Sequence, residues 1–246
     1  MALLWSLDSL LSATLFADTA KTTPITDGTG VAASVSSGSI TTDALQSTAG
    51  SRPTYRANYS SSGYPGLQFD GSSSCLSVAH SSGWNVSILD IFAIVTLTNS
   101  SSAQGIITKW TNSAWNDAWG VAMNASLFAC GSPAYSNFGA KITLNQRMLI
   151  HCHLQSSNNC GEFGPCYGGS TTGTGPANNS AAVTIGKADA TTAAYFLYGA
   201  IHELRVYGGG ETDQAIVTVK NTLRAKWGLA SVISRPSHPM YQQVIG

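Results

Sequence analysis

Short apolar runs separated by clusters of Gly, Ser, Asn and Asp recur along most of the chain, a pattern of strands joined by turns. The runs are 67–71 (LQFDG), 75–79 (CLSVA), 89–98 (LDIFAIVTLT), 105–110 (GIITKW), 119–125 (WGVAMNA), 126–130 (SLFAC), 146–155 (QRMLIHCHLQ), 182–188 (AVTIGKA) and 198–207 (YGAIHELRVY). The run 89–98 is apolar almost throughout and predicts a central strand covered on both faces. The first run ends in an Asp-Gly turn signal, and 75–79 is expected to pair with it. In 146–155, Met148, Ile150, Cys152 and Leu154 fall on one face, and Arg147, His151 and His153 mostly on the other, with Leu149 between them. The segment 156–180 reads as a long loop rich in Gly, Ser and Asn, functional or mobile.

One segment has helical spacing. Ile216, Val219, Leu223 and Trp227 form a single stripe after Thr212 or Asp213 as N-cap, and Gly228 supplies the stop. A second short helix is expected in DSLLSATLF near the start. About ten strands with one late helix predict an all-β, two-sheet antiparallel jelly-roll sandwich over 1–230, followed by an extended, Pro-punctuated tail at 231–246.

Composition narrows the partners. Charged residues make up 10% of the chain, and twelve basic side chains balance twelve acidic ones. Such a surface has no basic stripe for a nucleic-acid backbone or an anionic membrane. A near-zero net charge instead favours association with other protein, another copy of the chain included. No run of ~18 apolar residues occurs. The apolar N-terminus lacks a positive n-region and is interrupted by Asp8, so no cleaved signal peptide is expected. The five cysteines are an odd, widely spaced set and a poor disulfide framework. Cys160 and Cys166 could close a small loop or remain free thiols.

The candidate chemistry is sparse. Glu203 is one of three glutamates, with Glu162 and Glu211. On its strand His202, Leu204 and Val206 are expected to share one face, and Glu203, Arg205 and Tyr207 the other. Glycoside hydrolysis needs paired carboxylates across the bond, and no pair accompanies Glu203; it is expected to pair with Arg205 or Arg52. His151 and His153 have a spacing that suits metal chelation, but no third ligand is local, so two exposed or half-exposed histidines and no metal are expected. Asp117 and Asp27 each stand alone in their loops and read as turn residues rather than calcium ligands. A G-x-S-x-G elbow and a phosphate loop are both absent. The sharpest binding feature is 109–120 (KWTNSAWNDAWG), where Trp110, Trp115 and Trp119 are interleaved with Asn112, Asn116 and Asp117. Indoles beside amides can stack on sugar rings; the competing and favoured reading is alternate packing into core and loop.

Trp5 with LFAD (15–18), RPTY (52–55), LQFDG (67–71), IHELRVY (201–207) and LRAKWGL (223–229) occur in an order that resembles the laminin-G-like branch of the concanavalin A-like lectin/glucanase superfamily. In particular it resembles the single-domain versions found in tailed-phage virion proteins. The resemblance implies a jelly roll with the helix beside the last strand; the strand–glycine–helix end would let Trp227 fold back as a lid on the sandwich edge, and the expected pairing gives Arg52, Glu203 and Arg205 structural roles. It leaves calcium open, since relatives often bind it. It also implies a non-enzymatic virion protein assembled in a host cytoplasm, a decoration or cement protein that grips the major capsid protein. Segments 1–14 and 230–246 would then reach neighbouring subunits. The alternative is a carbohydrate-binding, receptor-reading domain of a tail or head fibre.

Overall fold

The computed structural model describes residues 2–61, 63–100, 102–111, 117–124, 127–131, 135–138, 142–155, 158–163, 166–171, 176, 178–189, 194–210 and 212–230, with backbone alone at 61, 135–138, 158–163 and 166–171. The first strands are β1 (Ala2–Asp8), β2 (Leu15–Phe16), β3 (Ala33–Ser34), β4 (Ala44–Leu45), β5 (Thr54–Arg56), β6 (Gly66–Asp70), β7 (Leu76–Val78) and β8 (Ile88–Leu97). Then come β9 (Gln104–Thr108), β10 (Gly120–Asn124), β11 (Leu127–Gly131), β12 (Tyr135–Phe138) and β13 (Arg147–Gln155). The last are β14 (Asn158–Phe163), β15 (Cys166–Thr171), β16 (Val183–Ile185), β17 (Tyr198–Gly208) and the helix α1 (Asp213–Lys226).

The strands form two sheets, every pairing antiparallel. Sheet A runs β15-β14-β13-β8-β17-β6-β5, with β1 also on β17; sheet B runs β12-β11-β10-β9-β16-β7-β4-β3-β2. The expected two-layer sandwich is therefore the architecture. Its core lies between the sheets. Leu89, Ile91, Ala93, Val95 and Leu97 of β8 face Ile107, Val121, Phe128, Val183 and Ile185 across it. The intervening β8 residues Phe92 and Ile94 belong to a second cluster on the outer face of sheet A, with Leu149, Tyr207, Ile216, Leu223 and Trp227. This two-sided burial explains why 89–98 lacks alternation.

Helix α1 covers that outer face. The Thr212 side chain accepts from the Ala215 amide at its start, and Gly228, at φ +60, allows the left-handed turn that ends it. The helix packs against the last strand, as expected, with Lys226 and Trp227 donating to Glu203 of β17, and Trp227 is buried in the cluster on the outer face of sheet A rather than closing an edge.

Several expectations fail for identifiable reasons. Residues 2–8 do not reach outward: β1 pairs with β17 from Ala2↔Gly208 to Asp8↔Glu203, burying Leu4, Trp5 and Leu7. The expected helix in DSLLSATLF is a single 3-10 turn, Ser12–Thr14, between β1 and β2. The run 67–71 does not form a hairpin with 75–79, because β6 and β7 belong to different sheets. Asp70 makes the crossing turn by accepting from the amides of Ser72, Ser73 and Ser74, each at 2.9 Å. Within 156–180, β14 and β15 form a hairpin that extends sheet A from β13. Its strands gain their pairing from the backbone, so no apolar alternation announces them. The register sets Cys160 against Ser170 and Cys166 against Phe163, which separates the two cysteines by several residues along the hairpin. The tail 231–246 lies outside the described residues.

The disulfide instead joins Cys130 of β11 to Cys152 of β13, Cα atoms 6.7 Å apart. It crosses the core between the two sheets, and both residues are fully buried. Cysteine spacing could not show this, because the pairing depends on which strands face each other.

Candidate functional site

Glu203 sits where β17 is irregular. The pairing with β8 shifts between Ile201 and Glu203, a bulge that places His202 and Glu203 toward the same outer face. The expected alternation therefore fails at His202 alone. The His202 ring lies 5.4 Å from the Trp227 ring. Its Nδ1 donates to the Pro65 carbonyl at 2.6 Å, so Nε2 accepts from the Thr96 hydroxyl at 2.9 Å. Burial pushes its pKa down to about 4, and the ring is neutral at pH 7.

Glu203 is 2% exposed and has three donors. Arg205 Nε reaches Oε1 at 2.6 Å; Lys226 Nζ and Trp227 Nε1 reach Oε2 at 2.7 and 2.5 Å. Lys226 also donates to Asp8. Arg205 is thus the expected partner, and the helix contributes two more. Arg52 is elsewhere: its guanidinium donates to the carbonyls of Gln46, Ala17 and Ser47 at 3.0–3.1 Å. Asp8 and Glu203 are two carboxylates with an ammonium between them. Such a buried network sets the docking of α1 more than it provides chemistry.

His151 and His153 do share the outer face of β13, but the third group lacking from local sequence is supplied by β8. Asp90 Oδ1 lies 2.9 Å from His151 Nε2 and 2.8 Å from His153 Nδ1. Both histidines are largely buried, against the expected exposure, and His151 stacks on Phe92 at 4.4 Å. Burial pushes the Asp90 carboxyl up, yet the hydrogen bonds and charge of the two imidazoles outweigh it and hold it at about 2. Burial likewise opposes the His153 imidazolium, and the Asp90 hydrogen bond and charge raise its pKa above the ordinary value. The shared oxygen occupies the space between the ring nitrogens. Among the described residues no group of three His, Cys, Asp or Glu is arranged to hold a metal ion. The hint was a lone aspartate inside an apolar run.

The tryptophan hairpin resolves mostly into packing. Trp119 is fully buried and lies 5.8 Å from Trp84, which lies 6.4 Å from Trp5. Trp110 is equally buried, in a small cluster with Ala118, Ala122 and Ala188 on the outer face of sheet B. Neither indole offers a stacking surface. Trp115, Asn112 and Asn116 lie outside the described residues. Asp117 accepts from the Thr111 amide at 2.9 Å and from its hydroxyl, closing its own loop as expected; Asp27 instead accepts from the Ala57 amide at 2.8 Å, tying its loop to a segment 30 residues away. Beside the hairpin, fully buried Lys109 donates to Asn179 Oδ1 at 2.5 Å and to the Asn179 carbonyl, a contact the sequence did not suggest.

No protein-family model matches the chain, and no curated protein matches its sequence. Solved structures do. The carbohydrate-binding module CBM40 of the Ruminococcus gnavus IT-sialidase, bound to α2,3-sialyllactose, is similar with a TM-score of 0.52 and 10% identity, covering 63% of this chain and 95% of the module. The same module bound to α2,6-sialyllactose gives 0.50 at 11% identity, with the same coverages. Trypanosoma rangeli sialidase, in complex with 2,3-difluoro-KDN, gives 0.56 at 10% identity; 86% of this chain corresponds to 31% of that enzyme. These likenesses establish the fold alone, a two-sheet β-sandwich.

Proposed function

We propose that the chain is a non-catalytic binding domain whose ligand is a carbohydrate. The observation that carries the reading is the state of its acidic side chains. Glu203 and Asp8 are bridged by Lys226, Asp90 is held by two histidines, and Asp117 and Asp70 are bound within turns. Glycosidases need two carboxylates flanking an open space for the sugar; these five are tied to basic side chains or to turn amides. The likeness to carbohydrate-binding modules over nearly a whole module supports the ligand class.

The test is a glycan array with the purified chain, followed by Trp115→Ala. Trp110 and Trp119 are buried core residues whose loss would damage the sandwich itself, so the substitution is made at Trp115. Saturable glycan binding supports the reading, and loss of it in Trp115→Ala places it at the hairpin. No binding across neutral and sialylated glycans removes it.

A second reading, a capsid decoration protein in a virion, draws on the balanced charge and the 10% charged composition. Contacts made by such a surface lose little to salt, and a protein that binds only the assembled shell stabilises it by mass action. Co-sedimentation with empty shells at high salt, without glycan binding, favours this reading over the first.

A further inference from the structure

Lys109 and Asn179 are 70 residues apart in sequence and adjacent in space. Lys109 follows β9 and Asn179 precedes β16, and these strands pair with Thr184 opposite Thr108. The Lys109 side chain is fully buried. Its Nζ donates to the Asn179 carbonyl and to Asn179 Oδ1, the latter at 2.5 Å. Oδ1 also accepts from the Ala181 amide at 3.1 Å. The Asn179 Nδ2 is held by the carbonyls of Lys109 and Asp117 at 3.3 and 3.5 Å. An amine is thus confined against a side-chain amide whose oxygen is polarised by a backbone donor.

We propose that Lys109 and Asn179 form an intramolecular isopeptide bond. Lys109 Nζ attacks Asn179 Cγ, a new C–N bond forms, the Cγ–Nδ2 bond breaks, and Nδ2 leaves as ammonia. A neutral amine gives one of its two hydrogens to the departing nitrogen. Starting from the ammonium, the extra proton leaves with it as ammonium ion. No oxidant, reductant or further reactant is needed.

Three features favour the step. Burial pushes the Lys109 pKa down, with Asp117 opposing, and a desolvated lysine is the nucleophilic form. The two groups are held together by the β9–β16 pairing, which removes the entropy cost of encounter. The Ala181 amide is placed to stabilise charge developing on Oδ1. The bond would close a covalent loop containing β10 to β15, within which the Cys130–Cys152 bridge already lies.

The experiment is the intact mass of the wild-type chain, with a proteolytic map after reduction. The expected mass is one ammonia below the sequence mass after allowance for the disulfide hydrogens. The map should contain one branched peptide joining Lys109 to Asn179. Lys109→Arg and Asn179→Ala should each restore the full mass and the linear peptides. An unmodified wild-type mass overturns the proposal, and so does ammonia loss without a branched peptide, the signature of a succinimide at Asn179. Because the wild-type measurement decides alone, a variant that fails to fold leaves the result intact.

Discussion

The two outer faces of the sandwich are closed in different ways. On sheet A an amphipathic helix lies over Phe92, Ile94, Leu149 and Tyr207, and is fastened by ions: Glu203 takes both Lys226 and Trp227. On sheet B no helix is present among the described residues. The chain after β16 passes directly over small side chains there. A Cβ on Gly105 would sit 2.1 Å from the Lys187 backbone, and the hydroxyls of Thr108 and Thr184 bond to each other at 2.7 Å and to the Lys187 carbonyl at 3.0 and 3.1 Å. One face is sealed by side-chain chemistry, the other by close backbone approach. The first should fail when a charge is removed, the second when volume is added.

The largest effect is expected on the helix face. Glu203→Ala leaves Arg205 and the Trp227 indole without their carboxylate, and breaking a buried network of this kind costs about 4 kcal/mol. Denaturant unfolding should show it, with loss of helix signal first. Next is the bridge between the sheets. Its 22-residue separation gives a loop whose closure contributes about 3 kcal/mol. Reductant, or the Cys130→Ala/Cys152→Ala pair, should lower the unfolding midpoint accordingly, and an unchanged midpoint would remove the bridge from the account. Gly105→Ala on sheet B should cost about 2–3 kcal/mol through overpacking against backbone that has no room to shift. Gly50→Ala, with open space around it, should be near neutral.

The smallest effect is the pH dependence contributed by the Asp90 cluster of sheet A. Asp90 has its pKa lowered from 3.8 to about 2, so its contribution is present above the unfolded value and fades as pH falls through that interval. His153 has its pKa raised above 6.5, so its contribution is full below 6.5 and fades as pH rises through the higher folded value. The cluster should therefore stabilise most between about pH 4 and 6.5, by about 1–2 kcal/mol. Asp90→Asn should make both limbs of the stability–pH curve shallower, leaving on the acid limb the share of His202, Asp70 and Asp18, whose pKa values are also lowered. Unaltered limbs would show that other groups govern them.

The contrast between the faces also explains what the sequence revealed. The helix was legible because Ile216, Val219, Leu223 and Trp227 repeat at helical spacing and Gly228 ends the run. The long β8 was legible from its nearly continuous apolar stretch. The β14–β15 hairpin was not, because its pairing is carried by backbone in a Gly- and Ser-rich stretch. Glu203 pairing with Arg205 could be read from two residues on one strand. Asp90 with His151 and His153 could not, since strand register brings them together across 61 and 63 residues. The same holds for Cys130 with Cys152 and for Lys109 with Asn179. The tryptophan cluster was visible, but which indoles faced the core depended on the β9–β10 register, where a shift falls between Val121 and Ala122.

The central claim, that this sandwich holds a carbohydrate without transforming it, is tested most directly by calorimetric titration of the folded chain with neutral and sialylated oligosaccharides. Each mixture is then analysed chromatographically for cleavage. The account predicts saturable heat for at least one oligosaccharide and its full recovery intact. Cleaved sugar whose release disappears in Glu203→Gln, or no binding heat with any of them, would contradict it.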